Sequence, residues 1–351
     1  MIEIDGSVHS GSGTLLRYAA SLATLVGRPV RMTRVRAKRQ KPGLRPQHLQ
    51  ALRACATLSG GRLEGDRVGS QEILYAPGPD LRGGDYKLDI GTAGSTTMLA
   101  FTLLPLALHA EKTCRFSMTG GLFQDFAPSA FHMQRALIPL LRRMGAEVRL
   151  EIRRPGYVPK GGGEIYLQVH PRGMPLEPLR MPEQGSLRKI TGISLSSHLE
   201  REKVSERMAS RCRELLDKRG LEAEFEILRD SEAHQKGAAL MLLAETDLGC
   251  LIGADRAGRP GRRSEAIAEF VVRSLLEDLD SGAAVDRHLA DQLILFAALA
   301  GGRSTYRIPI LTDHVRSNLW LVEKILDART RMDGTVLQVE GVAFSGRREN
   351  I

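Results

Sequence analysis

Three segments of this sequence follow one pattern of apolar and polar residues, and this repetition constrains the fold more than any other feature. Each segment predicts an apolar helix, a strand, a polar loop, an amphipathic second helix, a turn with glycine and another strand. In the first two segments, 35 residues separate the two helix starts, from Gly11 to Pro46 and from Ala93 to Pro128. Chance similarity among α/β segments is the alternative, and the equal spacing argues against it. The segments are residues 11–65, 93–150 and 286–341.

The pattern stops between the second and third segments, where closely spaced prolines mark a loop-rich boundary. These prolines are Pro171, Pro175, Pro178 and Pro182. The residues that follow predict four strands and two helices of their own, enough for a small domain. We therefore predict an α/β fold of the α+β type, with a large domain of three repeated βαβαββ-type units and an inserted smaller α/β domain. The predicted bounds are 1–181 for the first two units, 182–282 for the insertion and 283–351 for the third unit.

The chain carries a formal net charge of +9, because 50 Lys and Arg residues outnumber 41 Asp and Glu residues. An excess of this sign favours an anionic partner such as a nucleic acid or a nucleotide. A generally arginine-rich proteome would give the same balance, so charge alone leaves both explanations open.

Cysteine spacing and apolar runs argue against several other classes of protein. The four cysteines, Cys55, Cys114, Cys212 and Cys250, form no CxxC pair, which argues against a zinc motif or a disulfide framework. The apolar run 98–110 is too short to span a bilayer, and the N-terminus lacks the pattern of a secretory signal. We therefore expect a cytoplasmic protein without membrane spans.

The densest group of basic residues lies in residues 31–49. If a strand continues through this stretch, Arg34, Arg36 and Lys38 would point to the same side of it. Further basic groups follow in the loop and at the next helix start, where guanidinium groups and helix N–H groups favour phosphate. These groups belong to Arg39, Lys41, Arg45 and His48. A solvated run of charges is the alternative, and the position beside a helix start favours phosphate binding.

The helix predicted from residue 286 onwards carries polar residues on an otherwise apolar surface. His288 and Asp291 are three residues apart, and Gln292 lies one turn from His288, so the three side chains share one neighbourhood. A polar N-terminal cap without a chemical role is equally consistent with this spacing.

His314 lies in the sequence TDHVRSNL, between a strand-like run and an amphipathic helix. Thr312 or Asp313 can cap this helix, which places the imidazole beside the positive end of the helix dipole. That field disfavours the imidazolium form, and a neutral imidazole can attack phosphorus or transfer a proton. A structural surface histidine is the alternative. Metal ligation would need convergent partners that the sequence does not display.

Several stretches, taken together and in order, resemble the RNA 3′-terminal phosphate cyclases over nearly the whole chain. They include GSGTLLRYAASLATLVGRP, VRAKRQKPGLRPQHL, LRGGDYKLDIGTAGSTT, GYVPKGGGE, SGAAVDRHLADQL and TDHVRSNLWLVEKIL. The resemblance implies a large domain of three repeats, each similar to the C-terminal domain of a bacterial translation initiation factor, with an inserted small domain. This architecture agrees with the repeated pattern above and is similar to that of the enolpyruvyl transferases.

The resemblance also implies a mechanism in three steps, with ATP and a divalent metal, Mg²⁺ or Mn²⁺. A histidine attacks the α-phosphorus of ATP, AMP passes to the RNA 3′-phosphate, and the adjacent 2′-OH displaces AMP to leave a 2′,3′-cyclic end. His314 matches the position of that nucleophile. The positions that match the family's nucleotide contacts are Phe101, Pro128, His288, Leu289, Ala290, Asp291 and Gln292. The positions that match the groups around the substrate phosphate are Arg17, Arg36, Arg39 and His48.

The sequence departs from the family in three places. In the family a loop with a glutamate associated with metal binding precedes the first helix, whereas residues 10–14 of this chain are SGSGT. Ser10 replaces that glutamate, so the metal ligands are left unassigned. Phe101 replaces a glutamine that contacts the nucleotide, and the segment SEAHQKGAAL lacks a Ser-Pro-Gly run common in the small domain.

Three functions are compatible with the sequence. An enzyme that cyclises RNA 3′-phosphate ends is favoured, because the nucleophilic histidine is present at His314. A noncatalytic RNA-binding scaffold is the alternative from another class, and cyclase-like scaffolds lack that histidine. An adenylyltransferase that acts on other phosphorylated ends, including 5′-phosphates or DNA ends, would use the same residue. The sequence leaves the oligomeric state open.

Overall fold

Residues 1–346 are described by a computed structural model, in which four mixed sheets of four strands each are accompanied by nine helices. The predicted α/β class is thereby confirmed. Within these residues, none of the helices is both long and apolar enough to cross a membrane.

The first sheet is built from residues 2–76 and has the strand order β1-β2-β4-β3. Strands β1 and β2 are parallel, and the other two pairs are antiparallel. The strands are β1 (Ile2–Asp5), β2 (Val30–Thr33), β3 (Arg62–Glu64) and β4 (Ile73–Ala76). The helices between them are α1 (Gly13–Leu25) and α2 (Pro46–Ser59).

The second sheet repeats this order as β5-β6-β8-β7, with the same parallel and antiparallel pairs. Its strands are β5 (Gly84–Asp89), β6 (Cys114–Gly120), β7 (Glu147–Arg154) and β8 (Gly163–His170). Helix α3 (Thr96–Ala107) joins β5 to β6. The second connection runs continuously through α4 (Ala130–His132), a π-helical turn (Met133–Leu137) and α5 (Ile138–Arg143).

The chain then forms a short strand, β9 (Arg180–Met181), before it enters a separate sheet with the order β11-β10-β12-β13. The strands of that sheet are β10 (Leu187–Ser197), β11 (Ala223–Asp230), β12 (Gly237–Thr246) and β13 (Leu251–Ala257). Its helices are α6 (Val204–Asp217) and α7 (Ser264–Asp280). These helices bury an apolar core against the sheet that is distinct from the main core.

The last sheet has the order β15-β16-β14-β9, so it takes its first strand from residues that precede the separate sheet. The remaining strands are β14 (Arg303–Arg307), β15 (Arg329–Asp333) and β16 (Val336–Glu340). The helices are α8 (Leu289–Leu299) and α9 (Asp313–Leu326). With β9 counted first, this sheet has the same order and strand directions as the first two.

The helices of these three sheets pack against one another, with α1 in contact with α2, α3 and α9, and α8 in contact with α9. Every residue of α1 is buried, although Arg17 is charged. In α3 and α8 the residues that are only half-buried are Met98 and Asp291. Both line the cavity described below, so these two helices are open only where the cavity begins.

All four cysteines are free and buried, two in the first two sheet units and two among residues 187–280. Burial raises the pKa of the Cys55 and Cys212 thiols to about 12 and that of the Cys114 thiol to about 11. The pKa of the Cys250 thiol is raised for the same reason. The thiols are therefore protonated and enclosed in the folded chain.

Candidate active site

The first turns of five helices line one cavity of about 550 Å³. Helices α1, α2, α3, α8 and α9 contribute these turns, and the loop of residues 124–128 closes another side. Helix N-termini carry free N–H groups and a partial positive charge, so their convergence favours an anion. The predicted site residues on the cavity wall are Arg17, Arg36, Arg39, His48, Pro128, His288, Asp291, Gln292 and His314.

A larger cleft of about 880 Å³ lies between α5 and the sheet of residues 187–257. None of the predicted site residues lines it, and no histidine does. Its basic side chains already have partners, as Arg135 does with Glu226 and Lys189 with Glu245. The helix-lined cavity is therefore the stronger candidate for chemistry.

His314 is the second residue of α9, and Thr312 caps that helix by accepting a hydrogen bond from the Val315 N–H at 3.2 Å. The imidazole is half-buried, with Nδ1 3.2 Å from Oγ1 of Thr14. Burial, followed by the positive charges of Arg17 and Arg39, lowers the pKa of His314 to about 4. The ring is therefore neutral near pH 7, and burial contributes more to this than any other cause.

Arg17 is a cation inside the core of the protein. Its side chain is 5% exposed, and among residues 1–346 it forms no salt bridge. Its Nη2 donates to Sδ of Met98 at 3.0 Å and weakly to Oγ1 of Thr14 at 3.5 Å, while Nε has no partner. Burial lowers the pKa of Arg17 to about 10, so the group stays charged at pH 7. A buried cation without a carboxylate partner is a ready site for an anionic ligand.

The basic loop differs from the strand expected through residues 34–38. Strand β2 ends at Thr33, and Arg34 and Arg36 adopt left-handed backbone conformations with φ of 50° and 56°. The prediction that Arg34, Arg36 and Lys38 share one side of a strand is therefore wrong. Nη1 of Arg36 donates to the carbonyl oxygens of residues 41 and 43, both at 2.7 Å, which holds the loop in a tight curve. The exposed Arg39 side chain has no hydrogen bond or salt bridge within the described part of the chain.

His48 lies in the first turn of α2, where its Nδ1 accepts a hydrogen bond from the Arg45 N–H at 3.2 Å. Burial and the surrounding arginines lower the pKa of His48 well below its usual value, so the ring is neutral and Nε2 carries the proton. A Cβ atom at residue 13 would lie 2.1 Å from this Nε2, so only glycine fits at the start of α1. His48 thus presents an N–H donor at the same end of the cavity as Arg17.

Asp286 joins three parts of the protein behind the cavity wall. Its carboxylate accepts hydrogen bonds from Nε2 of His132 in α4 at 2.9 Å and from the Gly253 N–H in β13 at 2.9 Å. It also accepts from the N–H groups of His288 and Leu289 at the start of α8. Burial alone would raise the pKa of Asp286, but these donors outweigh it and lower the pKa to about 2. Burial alone would lower the pKa of His132, but the charge and hydrogen bond of Asp286 outweigh it, so the pKa of His132 is raised.

We expect Asp286→Ala to lower the free energy of unfolding by about 3–5 kcal/mol, because it leaves a buried His132 and three N–H groups without their acceptor. Urea unfolding followed by circular dichroism measures this loss. Asp280→Ala is the matched control, since its pair with Arg219 is exposed, and it should cost about 1 kcal/mol or less. Equal losses in the two variants would contradict the structural role assigned to Asp286.

Asp291 and Gln292 add polar groups to the wall formed by α8. Burial raises the pKa of the Asp291 carboxyl to about 7, so it titrates near neutral pH. Oε1 of Gln292 is buried without a hydrogen-bond partner within the described residues. An unsatisfied buried acceptor in a cavity wall is consistent with a ligand that supplies a donor.

Three residues predicted to contact the nucleotide do not line the cavity. Phe101 is 1% exposed in the interior of α3, and Leu289 and Ala290 are fully buried in the first turn of α8. All three side chains belong to the apolar core, because they lie on helices buried on nearly every side. The structure therefore places Phe101, Leu289 and Ala290 among core residues rather than cavity residues.

Other cavity residues were not singled out from the sequence, chiefly Thr14, Asp125 and Phe126. Thr14 is the second residue of α1, and only the fold shows that its hydroxyl meets His314. Ser10 forms hydrogen bonds with the hydroxyl groups of Ser12 and Ser317. Within residues 1–346 no group of three or more His, Cys, Asp and Glu side chains could hold a metal ion, so no metal ligands are assigned.

The fold and the cavity define an α/β protein with a cavity suited to an anion at converging helix N-termini, where a neutral histidine lies beside an arginine without a salt bridge. Residues 8–332 match the family model described as RNA 3′-terminal phosphate cyclase. The chain therefore belongs to the RNA 3′-terminal phosphate cyclase family, as the sequence motifs predicted. The prediction that it is an enzyme of this family is likewise confirmed.

Relatives named RNA 3′-terminal phosphate cyclase match the chain over almost its whole length. One from Pseudomonas fluorescens is 40% identical over 351 residues, which cover 98% of this chain and 99% of the relative. One from Archaeoglobus fulgidus is 37% identical, over 97% of this chain and 100% of the relative. One from Pyrobaculum neutrophilum is 35% identical, over 98% of this chain and 99% of the relative.

Proposed function

We propose that this chain converts an RNA 3′-terminal phosphate to a 2′,3′-cyclic phosphodiester with ATP, through a covalent AMP on His314. The observation that carries the proposal is the pairing of a neutral His314 with the buried, unpaired cation of Arg17 in one cavity. A neutral imidazole has a lone pair for attack on phosphorus, and an unpaired guanidinium favours the charge that develops there. Family membership supports the RNA 3′-phosphate end as the substrate.

In the first step the lone pair of His314 Nε2 forms a bond to the α-phosphorus of ATP, and the bond to pyrophosphate breaks. This requires the ring proton on Nδ1, where Nδ1–H can donate a hydrogen bond to Oγ1 of Thr14 at 3.2 Å. Arg17 and the helix N–H groups would hold the phosphate oxygens. We propose ATP as the nucleotide. The expected Mg²⁺ or Mn²⁺ would be held largely by the phosphates of ATP, as is usual where protein ligands are few.

In the later steps the RNA 3′-phosphate takes AMP from His314, and the adjacent 2′-OH displaces AMP as the ring closes. Transfer through the histidine divides one difficult displacement into two easier ones. AMP on the RNA 3′-phosphate then supplies the leaving group for ring closure, which a bare phosphate lacks. Arg36 and Arg39 of the basic loop and His48 of α2 line one part of the cavity wall, and we assign them to the RNA phosphate.

We further propose that the three sheets of like order are repeats of one βαβαββ unit, with residues 182–282 as an inserted domain. Their common strand order and directions support the repeats, and the separate apolar core supports the insertion. Because β9 pairs with β14, the proposed third unit begins at Arg180, before the inserted residues, whereas the sequence predicted that it begins at residue 283.

Incubation with α-labelled ATP and Mg²⁺ or Mn²⁺ tests the proposed function. We expect an acid-labile, alkali-stable label on the protein, which is then discharged by oligonucleotides that end in a 3′-phosphate. Release by 5′-phosphate or DNA ends would widen the substrate range to other adenylylation. Absence of label under both metals, with RNA binding intact, would favour the noncatalytic scaffold.

We expect the rate of self-labelling to stay constant as the pH falls through 6.5 and to decline only near pH 4, because protonation of His314 removes the nucleophile. Single-turnover labelling at saturating ATP measures this profile. Asp291 titrates at about pH 7 on the same wall, so the profile is repeated in Asp291→Asn to separate the two groups. A decline centred on pH 6.5 in both proteins would contradict the neutral, buried environment assigned to His314.

A further inference from the structure

Phe126 is the one aromatic side chain of this protein that is exposed to solvent. The sequence has nine Phe, six Tyr and one Trp, all within the described residues, and the other fifteen are buried or half-buried. Phe126 is 100% exposed, and it lies in the loop that closes one side of the candidate active site. Single exposed apolar residues are common on protein surfaces, so the case for a role depends on its surroundings.

The loop that carries Phe126 is fixed on both sides of it. The Asp125 carboxylate accepts two hydrogen bonds from Arg262, both at 2.7 Å, and lies 3.2 Å from Nε of Arg256. The buried rings of Phe123 and Phe131 flank the loop and pack 4.8 Å apart. Because its neighbours are held in place, Phe126 is directed outward by the loop.

The surroundings of Phe126 are basic. Arg39 and Arg256 line the same cavity, and Arg259 approaches Asp125 from the exposed side of the loop. An aromatic ring held beside cationic groups is the combination with which proteins bind single-stranded nucleic acid, where bases stack on the ring and phosphates meet the cations. The Phe126 ring thus has the position and the basic neighbours expected of a side chain on which a base stacks.

We propose that Phe126 is the stacking platform for the base of the 3′-terminal nucleotide of the RNA, an inference that rests on the proposed function. ATP is small enough to be enclosed by the cavity, whereas a polynucleotide must leave it through the open side. A ring that is wholly exposed at that side meets the nucleotide that lies between the cavity and the solvent. Phe126 would therefore position the terminal phosphate in the cavity by holding the base outside it.

Direct binding of 3′-phosphorylated oligonucleotides tests this inference without any chemical step. Two oligonucleotides are compared by fluorescence anisotropy, one complete and one that lacks only the terminal base. On the unaltered protein we expect loss of the base to weaken binding by about 5- to 150-fold. Phe126→Ala and Phe126→Leu should weaken binding of the complete oligonucleotide by a similar factor and remove the difference between the two. Phe126→Trp should preserve it.

Two outcomes would overturn the inference. Phe126→Ala could weaken both oligonucleotides equally, which would mean that the ring does not contact the terminal base. Alternatively, Phe126→Ala could raise the KM of ATP in self-labelling by the same factor that is expected for the loss of oligonucleotide binding. That result would mean that the base of ATP, rather than that of the RNA, stacks on the ring. Leu248→Ala, an exposed apolar residue outside the cavity, is the matched control. Because binding needs no covalent step, a protein that fails to label with ATP still tests the platform.

Discussion

His314→Ala is expected to reduce covalent labelling by ATP at least about 10⁴-fold, because it removes the imidazole in the first turn of α9 that is assigned as the nucleophile. His48 lines the cavity, but its Nδ1 accepts from the Arg45 N–H and its Nε2 carries a proton, so neither nitrogen offers a free lone pair. The label is measured on the purified protein after a single incubation with α-labelled ATP.

His234→Ala is the matched control for this experiment. His234 is exposed in the part of the chain between β11 and β12 and does not line the cavity, so its loss should leave labelling within about twofold of the unaltered protein. Binding of a 3′-phosphorylated oligonucleotide should survive in His314→Ala. If labelling persists in His314→Ala, the nucleophile is another residue and the mechanism proposed for this cavity is wrong.

Arg17→Met is expected to change activity and stability in opposite directions. The substitution removes a cation from the place where phosphate charge develops, which should slow self-labelling by about 10²- to 10³-fold. It also replaces a buried charge that has no salt bridge with an apolar side chain of similar length. We therefore expect the free energy of unfolding to rise by about 1–4 kcal/mol in the absence of ATP.

Urea unfolding and self-labelling are measured on the same preparations of Arg17→Met. Arg62→Met is the matched control, because Arg62 is exposed on β3 and lies outside the cavity. It should change neither quantity beyond about 0.5 kcal/mol or twofold. A loss of stability in Arg17→Met would mean that the arginine contributes to the fold through contacts not recognised above, and would contradict its description as an unpaired cation.

Local features of the site could be predicted from the sequence because each depends on neighbours along the chain. The start of α9 at a threonine cap, and the neutral state of His314 in its first turn, follow from capping and dipole effects. Burial contributes most to the low pKa of His314, and burial is a property of the fold. The sequence therefore predicted the neutral imidazole correctly but from the helix dipole and not from burial.

Other features depend on contacts that no local pattern reveals. His132 and Asp286 are 154 residues apart, and neither belongs to a motif that points to the other. The left-handed conformations of Arg34 and Arg36 have no glycine or asparagine to signal them. Phe101 illustrates a different point, since a phenylalanine inside a mostly apolar helix is expected in the core on physical grounds, and only the resemblance predicted a nucleotide contact.

The four buried thiols offer a way to follow how the chain opens. A protonated, enclosed thiol reacts with an alkylating reagent only when its surroundings unfold, so each cysteine reports the opening of its own region. Cys55 and Cys114 report on the first two sheet units, whereas Cys212 and Cys250 report on residues 187–280. Mass spectrometry of alkylated peptides would then reveal whether loss of Asp286 releases residues 187–280 as a unit or loosens the whole chain at once.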